Sequence, residues 1–276
     1  MLDEILRVEG LSKQFIKKNM FGSKTSIVKA VEDVSFSLHN DEVLVIAGES
    51  GSGKSTIAKL ILGAITPDSG KIIFRGKEIK NNTNSLMEIR MNCQMVHQDP
   101  YDSINPRMKV RDIVSEPLEI HNIGHGSERE KIVLDTLREV KLEPTEEIAN
   151  KYPHMLSGGQ RQRVVLARAL VLRPKIIIAD EPVSMLDVSI RAEVLELMKN
   201  IQKKNNISFI YITHDLATAR YFGDRIIILY LGKIMEFGPI NQVLLKPRHP
   251  YTQALIDAIS EPDPDNLYKE KIIRIN

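Results

Sequence analysis

The stretch Val43-Leu44-Val45-Ile46-Ala47, followed at once by Gly48-Glu49-Ser50-Gly51-Ser52-Gly53-Lys54-Ser55-Thr56, decides the fold. Five apolar residues in an unbroken run fit a strand buried on both faces, as in parallel sheets covered by helices. A helical pattern over Thr56–Leu62 follows and stops near Gly63 and Pro67. Between strand and helix lies G-x-x-x-x-G-K-S. Its glycines let backbone N–H groups turn inward around phosphate oxygens, and the helix behind adds the partial positive charge of its N-terminus. Gly48, Ser50, Gly51, Ser52, Gly53, Lys54, Ser55 and Thr56 are therefore the expected phosphate-binding residues. Within them, Lys54 would reach the β- and γ-phosphates, and the Ser55 hydroxyl would ligate Mg²⁺. This is a nucleotide site.

Two further unbroken apolar runs, Ile176–Ala179 and Phe209–Ile212, supply more strands for the same parallel sheet. The helical patterns Arg161–Leu172 and Ser189–Lys203 precede them. The first run ends in Asp180-Glu181. At the C-terminal edge of a parallel sheet such carboxylates face the ligand crevice. Asp180 would hold Mg²⁺ through water, and Glu181, pointing elsewhere, could polarise an attacking water. Strands at Ile5–Val8, Val34–Leu38 and Lys71–Arg75 alternate or sit beside turn residues, which predicts antiparallel pairing at one edge. From Pro100 to Pro153 strand-like runs vanish and Glu128–Val140 reads as an amphipathic helix, so a helical insertion is expected there. A hairpin turn is expected at Leu231-Gly232-Lys233 and a short helix at Tyr251–Ile259. The guanine-reading Asn-Lys-x-Asp element of a GTPase is missing, since Asn150-Lys151 runs into Tyr152-Pro153.

Composition narrows the class further. The 276 residues carry 38 Lys+Arg against 36 Asp+Glu, a net charge of +2, too balanced for the field a nucleic-acid binder tends to carry. The single cysteine, Cys93, cannot form an internal disulfide, a thiolate zinc site or an iron–sulfur cluster. No secretory signal or membrane-length apolar run is visible, and a soluble cytoplasmic chain is expected. His121 and His125 stand at helical spacing, but Asn122-Ile123-Gly124 between them predicts a loop and no metal site.

The motif Leu156-Ser157-Gly158-Gly159-Gln160 opens a helix with residues that leave its N-terminus bare, again suited to a phosphate. One nucleotide does not need two such cradles on one chain, so the second fits a nucleotide held by another subunit. With the loop at Gly48 and the acids at 180–181, the sequence resembles the ATP-binding-cassette (ABC) ATPases, whose signature is LSGGQ. The resemblance covers residues 4 to about 250. It implies an α/β fold of the P-loop NTPase (RecA-like) type, with a parallel sheet core, an antiparallel β edge subdomain and an inserted α-helical subdomain. It implies ATP and Mg²⁺ as ligands. Met95-Val96-His97-Gln98-Asp99-Pro100 resembles the Q-loop, which implies Gln98 as a ligand of Mg²⁺ and a catalytic residue close to the attacking water. Ser184-Met185-Leu186-Asp187 resembles the D-loop, with Asp187 in the nucleotide interface. Ile212-Thr213-His214-Asp215 resembles the switch, with His214 on the γ-phosphate. Phe15 stands where the family stacks adenine, with Phe21 nearby as the alternative. His97 and Met185 depart from the residues usual at those places, without removing a catalytic group.

Arg248-His249-Pro250-Tyr251-Thr252-Gln253-Ala254-Leu255, then Ser260-Glu261-Pro262-Asp263-Pro264, resembles the tail of oligopeptide/dipeptide importer ATPases, a group that includes nickel and some oligosaccharide importers. Phe21-Gly22 and Val28-Lys29-Ala30-Val31 resemble the same subfamily. The implied organisation is a nucleotide-binding domain over 4–246, its helical subdomain inserted at about 100–170, and a C-terminal extension over 247–276. The implied partners are a second ABC ATPase in a heterodimer, two membrane permease subunits and, through them, an extracytoplasmic substrate-binding protein, with no nucleic acid. Subfamily members often pair two ATPases, one with tail cysteines for an iron–sulfur cluster; this chain resembles the other. The rival class, soluble ABC ATPases of repair, chromosome structure or translation, carries long coiled coils or fused cassettes that this sequence lacks.

Overall fold

The computed structural model describes residues 3–18, 25–99 and 103–260; Phe21, Gly22, Pro100 and the 261–264 run lie outside the described residues. Its centre is the expected parallel sheet. β3 (Val43–Ala47) lies between β8 (Ser208–Thr213) and β9 (Arg225–Tyr230), and β7 (Ile176–Asp180) and β6 (Cys93–Val96) continue beyond β8. All five run parallel, and β10 (Lys233–Pro239) closes the far edge antiparallel to β9. The central runs are unbroken because both faces are buried. In β3, Leu44 and Ile46 enter one core while Val45 and Ala47 enter the other; in β7, Ile176 and Ile178 oppose Ile177 and Ala179. Each Val, Leu or Ile among them contributes about 1.5–3 kcal/mol by leaving water.

One core lies against the second sheet. There β1 (Glu4–Lys18), β2 (Thr25–His39), β4 (Ser69–Phe74) and β5 (Lys77–Glu78) pair antiparallel in the order β2-β1-β4-β5. The helix α1 (Lys54–Ile61), which leaves the phosphate loop, packs Ile57, Ala58, Leu60 and Ile61 into this core. The other core lies against the helices. After α2 (Thr83–Asn92) and β6, the chain forms α3 (Val110–Ile120), α4 (Ser127–Glu139) and α5 (Thr145–Asn150), which pack together; α3 and α4 also lie on α6 (Gly158–Leu170). This is the helical insertion. His121 ends α3 and His125 lies in the following loop.

Further along, α7 (Val188–Asn205) and α8 (Leu216–Phe222) flank β8. β9 and β10 turn over Leu231-Gly232, both at positive φ (44° and 81°), a two-residue hairpin of the twist such pairs favour. Then come α9 (Ile240–Leu245) and the tail helix α10 (Pro250–Ser260). The Glu236 carboxylate accepts from the backbone N–H groups of Arg248 (2.9 Å) and His249 (3.0 Å), tying the start of α10 to β10. Among the described residues no helix is long and apolar enough to cross a membrane.

Candidate active site

The phosphate loop leaves the C-terminal end of β3 and is shaped by positive-φ glycines: Gly48 (152°), Gly51 (80°) and Gly53 (109°). Two of them are also points of close approach. A Cβ on Gly48 would fall on the Leu229 carbonyl oxygen, and one on Gly53 would fall on that of Ala30. The Gly232 N–H donates to the Ser52 carbonyl (2.9 Å), so β2, the loop and the β9–β10 turn are locked together. Inside the loop the Lys54 ammonium, 6% exposed, donates to the carbonyls of Gly48 and Glu49, both at 2.7 Å. Burial lowers its pKa, opposed by the charges of Glu181, Asp180 and Glu49.

Parallel pairing delivers the remaining groups. The register sets Val96 beside Ala179 and Asp180 beside Ile212, so the segments leaving β6, β7 and β8 emerge side by side. Asp180 is almost buried, which raises its carboxyl above the usual range, while a hydrogen bond from Ser55 opposes the rise. Glu181 follows in a left-handed conformation (φ 47°), its N–H bonded to the Ile212 carbonyl (2.9 Å). That turn separates the two acids: Asp180 meets Ser55, and Glu181 meets the neighbouring strands. Its carboxylate accepts from Gln98 Nε2 (3.1 Å) and lies 2.9 Å from His214 Nδ1. Gln98, Glu181 and His214 thus form one bridge across the sheet edge. Gln98 touches Glu181, and no bond from it to Ser55 or Asp180 is among those described.

Ser157, Gly158, Gly159 and Gln160 do not join this cluster. Ser157 caps α6 by accepting from the Gln160 N–H (3.2 Å), and the Gln160 side chain accepts from the Ser157 N–H (3.0 Å), a reciprocal capping box. A Cβ on Gly159 would lie 2.6 Å from Ile190, and one on Gly158 3.6 Å from Leu186. The signature therefore packs on the segment holding Asp187, the N-cap residue of α7. Phe15 lies on β1 opposite Val28, 41% exposed, with the Lys13 ammonium 5.9 Å from its ring centre.

Residues 31–184 match the family described as ABC transporter. The chain belongs to that family. A second match, over residues 235–275, is to the C-terminal region of oligopeptide/dipeptide transporters. This ABC ATPase is 45% identical over 266 residues to a probable peptide ABC transporter ATP-binding protein of Sinorhizobium fredii, covering 96% of this chain and 75% of that one. It is 45% identical over 260 residues to the oligopeptide transport ATP-binding protein AppF of Bacillus subtilis, covering 93% and 78%. Among solved structures it is similar to cbiO1 from Clostridium perfringens, part of the cbiONQ transporter complex (TM-score 0.75, 29% identity, 88% of this chain and 92% of that one). It also matches the cassette MJ0796 as a dimer bound to ADP and Pi (TM-score 0.74, 31% identity, 86% and 99%).

Two contributors escaped the sequence reading. Arg191 donates to the Leu186 carbonyl (3.3 Å) and to Asp215 Oδ2 (3.1 Å), joining the segment before α7 to the turn after β8. Only its place four residues after Asp187, one helical turn on, hinted at this. Tyr251 packs on Tyr230 with ring centres 4.3 Å apart and the planes tilted by 34°. Its sequence signal is an aromatic that opens a helix between Pro250 and the Pro262–Pro264 run.

Proposed function

We propose that this chain is the ATP-hydrolysing subunit of an importer of di- or oligopeptides. The observation that carries the enzymatic half is the Glu181 bridge. A carboxylate held from both sides, one residue beyond the Ser55–Asp180 pair, is placed to orient a water against a nucleotide's terminal phosphate. The peptide half rests on the match of residues 235–275 and on the names of the relatives.

ATP lies with its phosphates in the 48–56 loop and its adenine toward Phe15. The Ser55 hydroxyl and the Asp180 carboxylate are oxygen donors already in mutual contact, a set suited to a hard cation, and they would hold Mg²⁺. Mg²⁺, when bound, neutralises charge on the phosphates. Lys54 exchanges its carbonyl partners for phosphate oxygens. Glu181 takes up the proton of the attacking water, Gln98 fixes that carboxylate from one strand and His214 from the other. Residues 157–160 and Asp187 serve the nucleotide of a second ATPase docked head-to-tail, in a heterodimer. We assign residues 4–246 to the nucleotide-binding domain, with the helical insertion at about 100–170, and 247–276 to the extension. The pair works at the cytoplasmic face of a membrane on two permease subunits, which receive cargo from an extracytoplasmic binding protein.

The test is affinity isolation of the tagged chain from gently solubilised membranes of its host, with ATP hydrolysis measured on the product. Co-isolation of two multi-span proteins and a second ATPase, together with loss of labelled-peptide uptake on gene deletion, is the expected result. Uptake of nickel or an oligosaccharide lost instead would overturn the peptide assignment. Recovery with ribosomes or DNA from the soluble fraction would overturn transport itself.

A further inference from the structure

The first turn of the tail helix packs on the end of β9, the strand whose Leu229 carbonyl backs Gly48 of the phosphate loop. Tyr251, in the first turn of α10, is fully buried, and its ring packs on that of Tyr230 at the end of β9, the two planes tilted by 34°. The residue before Tyr230, Leu229, is the one whose carbonyl occupies the space a side chain on Gly48 would need. Tyr251 therefore sits behind the point where the chain leaves β3 for the loop. Its hydroxyl faces the Glu49 backbone N–H. It is buried and closes no hydrogen bond of full geometry.

An unsatisfied buried hydroxyl is costly, and native structures hold few of them. Its orientation gives it a use. The Glu49 N–H shares its peptide plane with the Gly48 carbonyl, and that plane is gripped on its other side because the Gly48 carbonyl accepts from Lys54 Nζ (2.7 Å). When Lys54 turns to a phosphate, that carbonyl gives up its strongest donor and the peptide is freed to rotate. A partner on the N–H side then fixes it. Burial keeps the Tyr251 phenol protonated, its pKa pushed up to about 12, so the oxygen is a neutral acceptor throughout the working range.

We propose that Tyr251 is a positioning residue of the nucleotide site: its hydroxyl accepts the Glu49 N–H as the loop closes on phosphates, making α10 part of the machinery that sets ATP affinity. The inference rests on ATP binding at residues 48–56. It differs from the anchoring role that burial alone would give the tyrosine. An anchor stabilises the free chain, whereas this hydroxyl acts on the loaded one.

Tyr251→Phe separates these roles because it keeps the ring packed on Tyr230. The full chain and the variant are compared by titration with Mg·ATP, by thermal unfolding without nucleotide, and by the rise in Tm that saturating Mg·ATP gives. One hydrogen bond gained on loading corresponds to a loss of ATP affinity of about three- to tenfold in the variant. The nucleotide-free Tm should be unchanged or higher, since an unpaired buried group has been removed, and the ATP-induced rise should shrink. Tyr251→Leu, which removes the ring as well, should lower the nucleotide-free Tm. Equal ATP affinity in wild type and Tyr251→Phe overturns the inference while leaving the ATP site intact. A fall in nucleotide-free Tm for Tyr251→Phe overturns it in favour of an anchor. Failure of the wild-type chain to bind Mg·ATP overturns both the inference and the active-site reading beneath it.

Discussion

Replacing Glu181 by glutamine removes a charge and almost nothing else. The two side chains have the same shape, and the site offers partners for either. Today one carboxylate oxygen receives Gln98 and the other lies against His214. In Glu181→Gln one of these terminal atoms becomes an NH₂ donor. Gln98 can turn its own amide to present oxygen, so the contact across the sheet edge survives. What is lost is the base. Removing a positioned general base costs about 10²–10⁴ in rate, which is roughly 2.7–5.4 kcal/mol of barrier. Affinity should move far less. Lys54 loses the largest of the charges that oppose its burial, but the phosphates of ATP replace it with a greater one. The expected signature is therefore split: phosphate release at saturating Mg·ATP falls at least a hundredfold, while the ATP-binding titration shifts by no more than about threefold. Hydrolysis within fivefold of wild type, with binding intact, would refute the assignment of Glu181.

Other expectations follow from single contacts. Gly53→Ala places a Cβ against the Ala30 carbonyl at φ 109°, so Mg·ATP binding should vanish and Tm should fall by several degrees in the same unfolding assay. Gly159→Ala brings a Cβ to 2.6 Å from Ile190; it should leave ATP binding by the isolated chain unchanged while lowering hydrolysis in the assembled complex, and Ile190→Ala should restore much of that loss. Burial pushes the Glu139 carboxyl up, but Asn205, Arg173 and Lys204 together hold it below the usual range. The folded chain thus favours the ionised form. Its stabilisation is complete above the ordinary carboxylate pKa of about 4.3 and is lost as pH falls through the lower folded value. Glu139→Gln should lower Tm near pH 7 and flatten the acid limb of a Tm–pH curve; an unchanged acid limb would discount the pair.

What the sequence made legible was whatever double burial writes in plain apolar runs. Val43–Ala47, Ile176–Asp180 and Ser208–Thr213 need both faces dry, so their positions and their parallel pairing could be read directly. β6 could not. It is four residues long, lies at the sheet edge and carries a half-exposed Gln94, so it has neither a run nor an alternation. Helix α3 was hidden by Pro117 within it, although Val110, Ile113, Val114 and Leu118 are buried. The helix after the signature starts at Gly158 and not Arg161, because the Ser157–Gln160 capping box recruits the glycines into its first turn. For the site, chain order named Gln98, Glu181 and His214, but nothing in their spacing said that they touch. That came from the register of β6, β7 and β8 and from the left-handed turn at Glu181. The approach of the tail to the strand behind the loop was invisible for the same reason: it depends on where β9 ends, which no local pattern encodes.

The place of β3 in the sheet also has a bearing on how the chain is made. β3 ends at Ala47, but its two neighbours begin at Ser208 and Arg225. On a ribosome adding about 5–20 residues per second, the central strand is complete on the order of ten to thirty seconds before either flank exists. The Ser52 carbonyl then waits still longer for Gly232. The phosphate loop is thus finished by a turn made far later in synthesis. Nucleotide cannot template the fold from the start. Chains released short of the β9–β10 turn should bind none at all, and would present bare strand edges to the cell's quality control.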